Sequence, residues 1–396
     1  MAALIEIDTG HRSSINQNPL EFGVGFLGYN TWMKILAIET SCDDTAAAVL
    51  ENNMVLSNVI SSQIDLHSQW GGVVPDIAKR AHQERIMPVI AEALRRAKPF
   101  GAVHHLSLEK GTHKKIEQII DEGMKNIDVI AVTLGPGLAI ALSVGVNKSK
   151  ELAIRYKKKL VAVNHIEGHL LSNWVKNSKG KPFRKIEFPA LTLTASGGHT
   201  KIILMQDIGK YEVVGETLDD AAGEALDKAS KLLGLGYPGG PVIERLAKGG
   251  DVNFMELPRP MEHAKSLDYS FSGLKTSFYY RIKDWPKSEV NKNLENLAAS
   301  FQNAVFESLL IKFRKAVEIY RPKTLLASGG VMANLELRKR LRKLAKEFNL
   351  PIFMPYRKDL NTDNAMMIGV AGYYKALRGE FVKNIEKLDR DPRAMI

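Results

Sequence analysis

Residues 188–216 read FPALTLTASGGHTKIILMQDIGKYEVVGE. This stretch predicts an apolar strand, a turn of small and polar residues that ends in threonine, a second strand, a tight turn and a third strand. The same order occurs in residues 33–59, where MKILAIET is followed by SCDDT and AAAVLENNMVLSNV. Two such copies indicate a duplicated domain whose equivalent turns face each other.

Two further junctions between a strand and a helix are rich in glycine. They lie in VIAVTLGPGLAIALSVGVNKSKELA (129–153) and in TLLASGGVMANLELRKRL (324–341), where the helix starts near Asn334. Glycine lets backbone N–H groups approach an anion, and a helix N-terminus adds partial positive charge. For one junction alone a tight turn is the simpler explanation. Four junctions among alternating strands and helices favour an α/β protein with a nucleotide or acyl-phosphate site between two domains.

The composition predicts a globular protein without a membrane segment. The 396 residues are 45% hydrophobic and 25% charged, which suits two ordinary domains. No apolar run is long enough to cross a bilayer, so no role in a membrane is expected. The one cysteine, Cys42, allows no internal disulfide, and we expect a cytoplasmic protein. Residues 1–32 are interpreted as an extension outside the fold, which begins at Met33.

The chain is strongly basic, with a formal net charge of +11 and a pI near 9.4. Such a charge favours a polyanionic partner. The basic residues are concentrated at Lys157–Lys159, in KNSKGKPFRK (176–185) and in RKRLRKLAKEF (338–348). Each cluster taken alone is also explained as a solvated helix face or loop.

The stretch NHIEGH (164–169) contains two histidines four residues apart. On a helix His165 and His169 share one face, whereas Glu167 points away from it. In zinc peptidases of the H-E-x-x-H type the glutamate directly follows the first histidine, so this motif argues against a peptidase. A metal would need a third ligand. We predict Asp363, in NTDNAMM (361–367), for this role, with helix capping as the alternative.

Other polar segments are weaker candidates. Three histidines in residues 104–120, namely His104, His105 and His113, have spacing that disfavours a metal site. DDAAGEALDKASKLLGLGYPGGP (219–241) predicts a helical stripe of Asp220, Glu224 and Asp227 for ribose hydroxyls or an ammonium group, or else a solvated face. DYSFSGLKTS (268–277) is either a polar active-site loop or a surface turn. Its polar residues are Ser270, Ser272, Lys275 and Thr276.

Together these segments resemble the family of tRNA N6-adenosine threonylcarbamoyltransferases, formerly described as O-sialoglycoprotein endopeptidases. The matching stretches run in the family's order from Met33 to about residue 375: IETSCDDT, GGVVPDIAKRAH, LGPGL, NHIEGHL, ASGGHT, DDAAGEALDK, GYPGGP, SFSGLKT, SGGVMAN and NTDNAMM. ETSCD and SGGHT resemble the bacterial and organellar branch. The extension before Met33, the lengthened region near residues 100–125 and Asp44, where many members have glutamate, depart from the family pattern.

The resemblance implies an α/β chain with a duplicated actin-like, Hsp70-like fold of two lobes and a nucleotide cleft between them. The first lobe would comprise residues 33–185, completed by C-terminal helices in 363–390, and the second lobe residues 186–362. The implied reaction is acyl transfer. The threonylcarbamoyl group of threonylcarbamoyl-adenylate passes to N6 of the adenosine beside the anticodon in tRNAs that read ANN codons, and AMP is released.

The resemblance also implies site residues and ligands. One divalent metal, usually iron, with zinc or manganese as alternatives, would be held by His165, His169 and Asp363. The adenylate phosphate region would contact Thr194, Ala195, Ser196, Gly197 and Gly198, and the nucleoside would contact Asp227, Gly240, Glu244 and Asn334. An ATP- or ADP-type nucleotide would also fit the cleft. We predict that Asp43 takes up the N6 proton or orients the carbamoyl group.

The expected partners are tRNA and either a second copy of the chain or a smaller paralogous subunit with a P-loop ATPase. Three other functions remain open at this point: an actin-like small-molecule kinase or ATPase, a metal-dependent glycopeptidase, and a catalytically silent scaffold. The kinase leaves the histidine pair without a use, the position of Glu167 disfavours the glycopeptidase, and a silent scaffold should lack the pair.

Overall fold

The strands form two five-stranded sheets in the residues that this computed structural model describes, 32–97 and 112–396. The first sheet contains β1 (Lys34–Glu39), β2 (Asp44–Glu51), β3 (Met54–Ser62), β4 (Val129–Gly135) and β5 (Lys159–Asn164). The second sheet contains β6 (Ala190–Ala195), β7 (Thr200–Asp207), β8 (Lys210–Glu216), β9 (Thr324–Ser328) and β10 (Ile352–Phe353).

The two sheets repeat one topology. Their orders are β3-β2-β1-β4-β5 and β8-β7-β6-β9-β10. In each sheet the first three strands form an antiparallel meander. The fourth strand pairs in parallel with the first, and the fifth pairs in parallel with the fourth. The duplicated pattern of strands and turns in the sequence therefore corresponds to a duplicated sheet.

Helices connect and cover the strands. They are α1 (Ile64–Ser68), α2 (Pro75–Arg96), α3 (Thr112–Met124), α4 (Ala139–Arg155), α5 (His165–Leu171), α6 (Ala222–Leu232), α7 (Gly239–Ala247), α8 (Ser272–Ile282), α9 (Lys287–Lys292), α10 (Leu294–Tyr320), α11 (Leu335–Glu347) and α12 (Ala365–Leu377). In the described ranges no helix is both long enough and apolar enough to cross a membrane.

The first sheet is apolar on both faces because helices cover both of them. Successive side chains of β1 point to opposite faces. Leu36 and Ile38 join the buried cluster that contains residues of α2 and α4, whereas Ile35 and Ala37 join the cluster that contains α12. A Cβ added to Gly372 of α12 would lie 2.5 Å from the Cβ of Ala131, so glycine allows this helix to approach the sheet closely.

Helix α5 packs between the two sheets. Its residues Ile166, Leu170 and Leu171 belong to a buried cluster that contains residues of both sheets, among them Ala131 of β4 and Ile203 of β7. Because the helix touches both halves of the duplicated fold, its side chains can meet groups from either half.

Two predictions fall largely or wholly outside the described residues. Of the predicted N-terminal extension, only Trp32 is among the described residues. His104, His105 and the side chain of His113 also lie outside the described part. The lengthened region near residues 100–125 is described from Thr112 onward. There it forms α3, whose Ile116, Ile120 and Met124 pack into the core.

The last residues of the chain lie across the end of the first sheet. Between residues 363 and 396 the regular secondary structure is α12 alone. After α12 the backbone N–H of Val382 donates to Leu160 O, and that of Asp391 donates to Leu134 O, each at 2.8 Å. The side chain of Asn164, where β5 ends, donates to Met395 O at 3.1 Å. The tail therefore contacts the start of α5.

Candidate active site and metal centre

The histidine pair is positioned by the junction between β5 and α5. Asn164 is the N-cap of α5, and its Oδ1 accepts hydrogen bonds from the backbone N–H groups of Ile166 at 2.8 Å and Glu167 at 3.4 Å. Because the cap starts the helix at His165, the next residue on the same face is His169. Both side chains are buried, with 4% and 0% of their surface exposed.

Asp363 completes the set of predicted ligands. Its Oδ1 lies 3.4 Å from His165 Nε2 and 3.3 Å from His169 Nε2. The alternative, that Asp363 caps the next helix, was wrong, because the side chain of Asn364 accepts from Met367 N and caps α12. Three ligand atoms within 4.8 Å of one another form the one such His, Cys, Asp or Glu group in the described chain. This is the donor set of a 2-His-1-carboxylate metal site.

The surroundings of the His169 ring support this interpretation. Both of its ring nitrogens are buried and form no hydrogen bond in the described part of the chain. The contact of Nε2 with Asp363 is within ion-pair distance but lacks hydrogen-bond geometry. Buried polar groups nearly always have partners, since leaving them unpaired costs free energy. A cation beside Asp363 would supply the partner that Nε2 lacks.

Glu39, at the end of β1, contacts the second ring nitrogen of His165, Nδ1. Its Oε2 lies 3.1 Å from His165 Nδ1 and accepts a hydrogen bond from Thr133 Oγ1 at 2.6 Å. Burial opposes a charge on His165, but the carboxylates of Asp363 and Glu39 raise its pKa to about 10. The same negative field favours a divalent cation. Sequence reasoning missed Glu39, although a charged residue inside an apolar strand was a visible signal.

Thr194 and Ala195 end β6, and Ser196, Gly197 and Gly198 begin the loop that links β6 to β7. The Thr194 hydroxyl lies 3.1 Å from the hydroxyl of Ser328 in β9, and the two glycines of the loop have open space around them. A Cβ added to Gly223 of α6 would lie 2.5 Å from Ser196 O, so the start of α6 packs against the loop backbone.

His199 follows this loop and lies beside the predicted metal ligands. Its ring centroid lies 6.2 Å from that of His165. Burial lowers the pKa of His199 to about 3, and the positive charge of His165 adds to this effect. The glycine-rich turn of the second sheet therefore lies beside a histidine pair that follows the first sheet.

The predicted nucleoside residues come together where α7 and α11 begin. Asp227 Oδ1 accepts from the backbone N–H groups of Gly239 at 2.7 Å and Gly240 at 3.2 Å. The carboxylate of Glu244 accepts from Leu335 N at 2.9 Å. These contacts tie α6 to α7 and α7 to α11.

Asn334 is held at the same junction. Its Oδ1 accepts from Glu336 N and Leu337 N and so caps α11, and its Nδ2 donates to Gln302 Oε1 at 2.7 Å. The side chain is 6% exposed. The start of α11 that the sequence predicted near Asn334 is confirmed.

The predicted carboxylate stripe of Asp220, Glu224 and Asp227 was wrong. Helix α6 begins only at Ala222, because the preceding segment is held beside residue 269 by the bridge from Thr217 and by the Leu218 N–H. Asp220 and Glu224 instead bind one lysine, Lys228, at 2.6 and 2.9 Å. Asp227 thus has different partners from the other two carboxylates.

The polar segment 268–277 supports the start of α8. The hydroxyls of Ser270 and Ser272 donate to Asp219 Oδ2 at 2.5 and 2.7 Å. Thr276 donates to Ser272 O, and Lys275 lies 3.8 Å from Asp220. All four residues therefore have partners within this part of the fold.

Asp43 lies in the turn between β1 and β2. Burial raises its pKa, and the charge of Asp363 raises it further. Asp43 in turn contributes to the raised pKa of Asp227, for which burial is the main cause. Asp43 is therefore electrostatically coupled both to the metal ligand set and to the second half of the fold. Its neighbour Asp44 has a pKa raised by burial to about 7.

Glu167 points away from the histidine pair. It is 4% exposed, accepts a hydrogen bond from the hydroxyl of Tyr211 in β8 at 3.1 Å, and lies 3.6 Å from Arg378 and 3.9 Å from Lys375. Lys375 lies in the last turn of α12, Arg378 follows that helix, and Tyr211 belongs to the second sheet. Glu167 therefore joins elements around α5 and does not face Asp363.

Comparison with known proteins places the chain in a family. Residues 54–99 and 102–370 match the sequence model of the family described as tRNA N6-adenosine threonylcarbamoyltransferase. The proteins of that name from Thermosipho africanus (strain TCF52B) and Clostridioides difficile (strain 630) are 44% and 45% identical to this chain over 341 and 348 residues. These alignments cover 86% and 87% of this chain and 94% of each relative.

A solved structure shares the fold. HypF from T. kodakarensis superposes with a TM-score of 0.52 at 14% identity, over 88% of this chain and 48% of HypF. Together with the repeated sheet topology, this similarity supports an actin-like fold. By its sequence, the chain belongs to the family of tRNA N6-adenosine threonylcarbamoyltransferases.

Proposed function

We propose that this protein is an acyltransferase that moves the threonylcarbamoyl group from threonylcarbamoyl-adenylate to N6 of the adenosine beside the anticodon in tRNAs that read ANN codons. The N6 nitrogen attacks the carbamoyl carbon, the bond from this carbon to the phosphate oxygen breaks, and AMP leaves with the electron pair. The observation that carries the proposal is the juxtaposition of His165, His169 and Asp363 with the loop before His199, in a chain of this family.

The acyl-adenylate would be held by the second half of the fold. The backbone N–H groups of Gly197 and Gly198 would bind the phosphate, since no side chain blocks these glycines. Thr194, Ala195 and Ser196 would hold the loop in place, because they pair with neighbouring strands or with His199. The adenosine would lie where α6, α7 and α11 meet, beside Asp227, Gly240, Glu244 and Asn334. Fixing both ends of the donor leaves its carbonyl in one position for attack.

The residues present fit one divalent metal, for which iron is the first choice, with zinc and manganese as alternatives. His165, His169 and Asp363 would hold it, and Glu39 would orient His165 through Nδ1. When bound, such an ion polarises a carbonyl or phosphoryl oxygen and stabilises negative charge that develops on a leaving group.

Asp43 is proposed to take up the proton that N6 loses. Exocyclic amines of adenine are weak nucleophiles, so removal of this proton assists the attack. Burial raises the pKa of Asp43, which makes its ionised form a stronger base than an exposed aspartate. The turn between β1 and β2, which contains Asp43, corresponds in the duplicated fold to the glycine-rich loop between β6 and β7.

We further propose that residues 33–185 with 363–390 form one lobe and 186–362 the other, with an ATP- or ADP-type nucleotide also able to bind in the cleft. The net charge of +11 supports tRNA as the macromolecular substrate, and the protein would act in the cytoplasm. It would work as a homodimer or with a smaller paralogous subunit and a P-loop ATPase. A peptidase function lacks support because Glu167 faces Tyr211 and not the ligand set.

A reconstituted reaction tests the function. The protein is incubated with threonine, bicarbonate, ATP, an adenylate-forming enzyme, the partner proteins and unmodified tRNA, and the digested tRNA is analysed by mass spectrometry. We expect threonylcarbamoyl-adenosine only when this chain is present. A complete mixture that forms the acyl-adenylate but no modified nucleoside would overturn the proposal.

Glu39→Gln is expected to weaken metal binding by about 10- to 100-fold, as is typical when a group that orients a ligating histidine is changed. Glutamine keeps the size of the side chain but removes the charge beside His165 Nδ1. The affinity is measured by competition with a chromophoric chelator. The control is Glu187→Gln, which removes an exposed charge and should leave the affinity unchanged. Equal affinities in the two variants would contradict the role of Glu39.

A further inference from the structure

A basic cavity adjoins the proposed nucleoside site, with which it shares Glu244. It has a volume of about 530 Å³ and lies between α7, α11 and residues 355–361. Basic side chains from these three elements line it. They are Arg245 and Lys248 at α7, Arg338 and Arg342 on α11, and Arg357 and Lys358 in the third segment.

Most of this positive charge is uncompensated. Arg357 is paired with Asp359 at 2.7 Å, and Arg338 donates to the carbonyls of Met332 and Pro355. Within residues 32–97 and 112–396 the other four cations form no ion pair and no side-chain hydrogen bond. Glu244 is the one acid among the lining residues, and its Oε1 already accepts from Leu335 N. The cavity therefore has a positive potential that favours an anion.

The pKa directions of two half-buried arginines agree with the sign of this potential. Burial lowers the pKa of Arg338, and the nearby charge of Arg342 lowers it further. Burial likewise lowers the pKa of Arg184, next to the cavity, to about 10, with a contribution from Arg338. These arginines therefore repel one another, and a bound anion would relieve the repulsion.

The cavity also presents an unsatisfied acceptor. Asn361 lines it, is 0% exposed, and has an Oδ1 without a hydrogen-bond partner in the described chain. Its Nδ2 donates to Arg357 O at 2.9 Å, which fixes the amide. A ligand that matches these groups carries both anionic oxygens and a hydroxyl or amine donor. RNA has both, since each nucleotide combines a phosphate with a 2′-hydroxyl.

The number of unpaired cations favours an RNA strand over a mononucleotide. Threonylcarbamoyl-adenylate has a single phosphate, which the function proposed above assigns to residues 194–198. This donor leaves the four unpaired cations of the cavity, Arg245, Lys248, Arg342 and Lys358, without an anion. An RNA backbone offers one charge per nucleotide, and lysine and arginine contacts to such charges dominate the affinity of proteins for nucleic acids.

We propose that this cavity binds backbone phosphates of the tRNA anticodon loop next to the adenosine that is modified. The inference rests on the proposed function, because it takes tRNA as the acceptor. Asn361 is two residues from the metal ligand Asp363 in the chain, so a strand held here lies beside the reacting groups. The cavity would thus set the position of the loop from which the adenosine enters the site.

The test is the salt dependence of tRNA binding to the full-length protein. The variant Lys248→Gln/Arg342→Gln removes two unpaired cations of the cavity. The control Lys343→Gln/Lys346→Gln removes the same charge from exposed positions of α11 outside the cavity. Affinity for unmodified tRNA is measured by fluorescence anisotropy at several salt concentrations. We expect the slope of log K against log[salt] to become shallower by about 1 to 2 in the cavity variant, from the loss of two phosphate contacts.

The control is expected to keep the wild-type slope, and both variants are expected to keep the wild-type affinity for AMP in calorimetry. Equal slopes in the two variants would overturn the cavity inference while leaving the proposed function in place. A cavity variant that loses affinity for AMP but keeps its slope would assign the cavity to a free nucleotide and overturn the inference. A wild-type protein that neither binds nor modifies tRNA would overturn the proposed function as well.

Discussion

His169→Ala is expected to lower the rate of threonylcarbamoyl transfer by about 10²- to 10³-fold, which is typical for removing one group that stabilises charge in a transition state. The imidazole is fully buried, and its Nε2 lies 3.3 Å from Asp363. Its loss leaves a histidine and a carboxylate, too few protein ligands for the predicted donor set. Single-turnover transfer and the metal content of the purified protein are measured together.

The matched control for this experiment is Glu167→Gln in the same helix. Glutamine can still accept the hydrogen bond from Tyr211, and the residue faces away from the ligand set. We expect this variant to retain its metal and to lose far less activity than His169→Ala. If the two variants were equally impaired and both kept the metal, the assignment of His169 as a ligand would be wrong.

Asp43→Asn is expected to lower kcat by about 10²- to 10⁴-fold, the usual contribution of a general base, with little change in KM for tRNA. The base must be ionised. Because burial raises the pKa of Asp43, the rate should fall as the pH falls through this raised pKa. The acidic limb of the pH-rate profile should therefore lie above the pKa of an ordinary aspartate and should vanish in the variant.

The control for Asp43 is Asp65→Asn, which removes the same charge from an exposed position of α1. It should keep the wild-type kcat and the acidic limb. An Asp43→Asn protein with a normal kcat would exclude Asp43 as the base. A raised KM with an unchanged kcat would instead assign it to substrate binding.

Local sequence patterns predicted the parts of the structure that depend on neighbours along the chain. The helix start predicted near Asn334 is the start of α11 at Leu335, with Asn334 as its cap. The spacing of His165 and His169 predicted a shared helix face, and the structure has it. Helical periodicity and capping are short-range properties, so a single chain reveals them.

The same reasoning failed where a distant segment competes. Asp220 lies at a helical spacing from Glu224, but the segment before α6 pairs with residues near Tyr269 and keeps Asp220 outside the helix. Capping by Asp363 was plausible from the sequence, yet Asn364 is the cap. Local patterns do not reveal which of two neighbouring polar residues a remote group will attract.

The sequence by itself determined the duplicated strands and turns, the paired histidines and the basic composition, because these depend on periodicity and residue type. Only the tertiary structure decided that Asp363 meets the histidines, that Glu39 lies behind His165, and that cations of α7 and α11 share one cavity. These contacts join residues far apart in the chain. They are set by how α5 and α12 pack against two sheets, and burial there gives each carboxylate and cation its electrostatic effect.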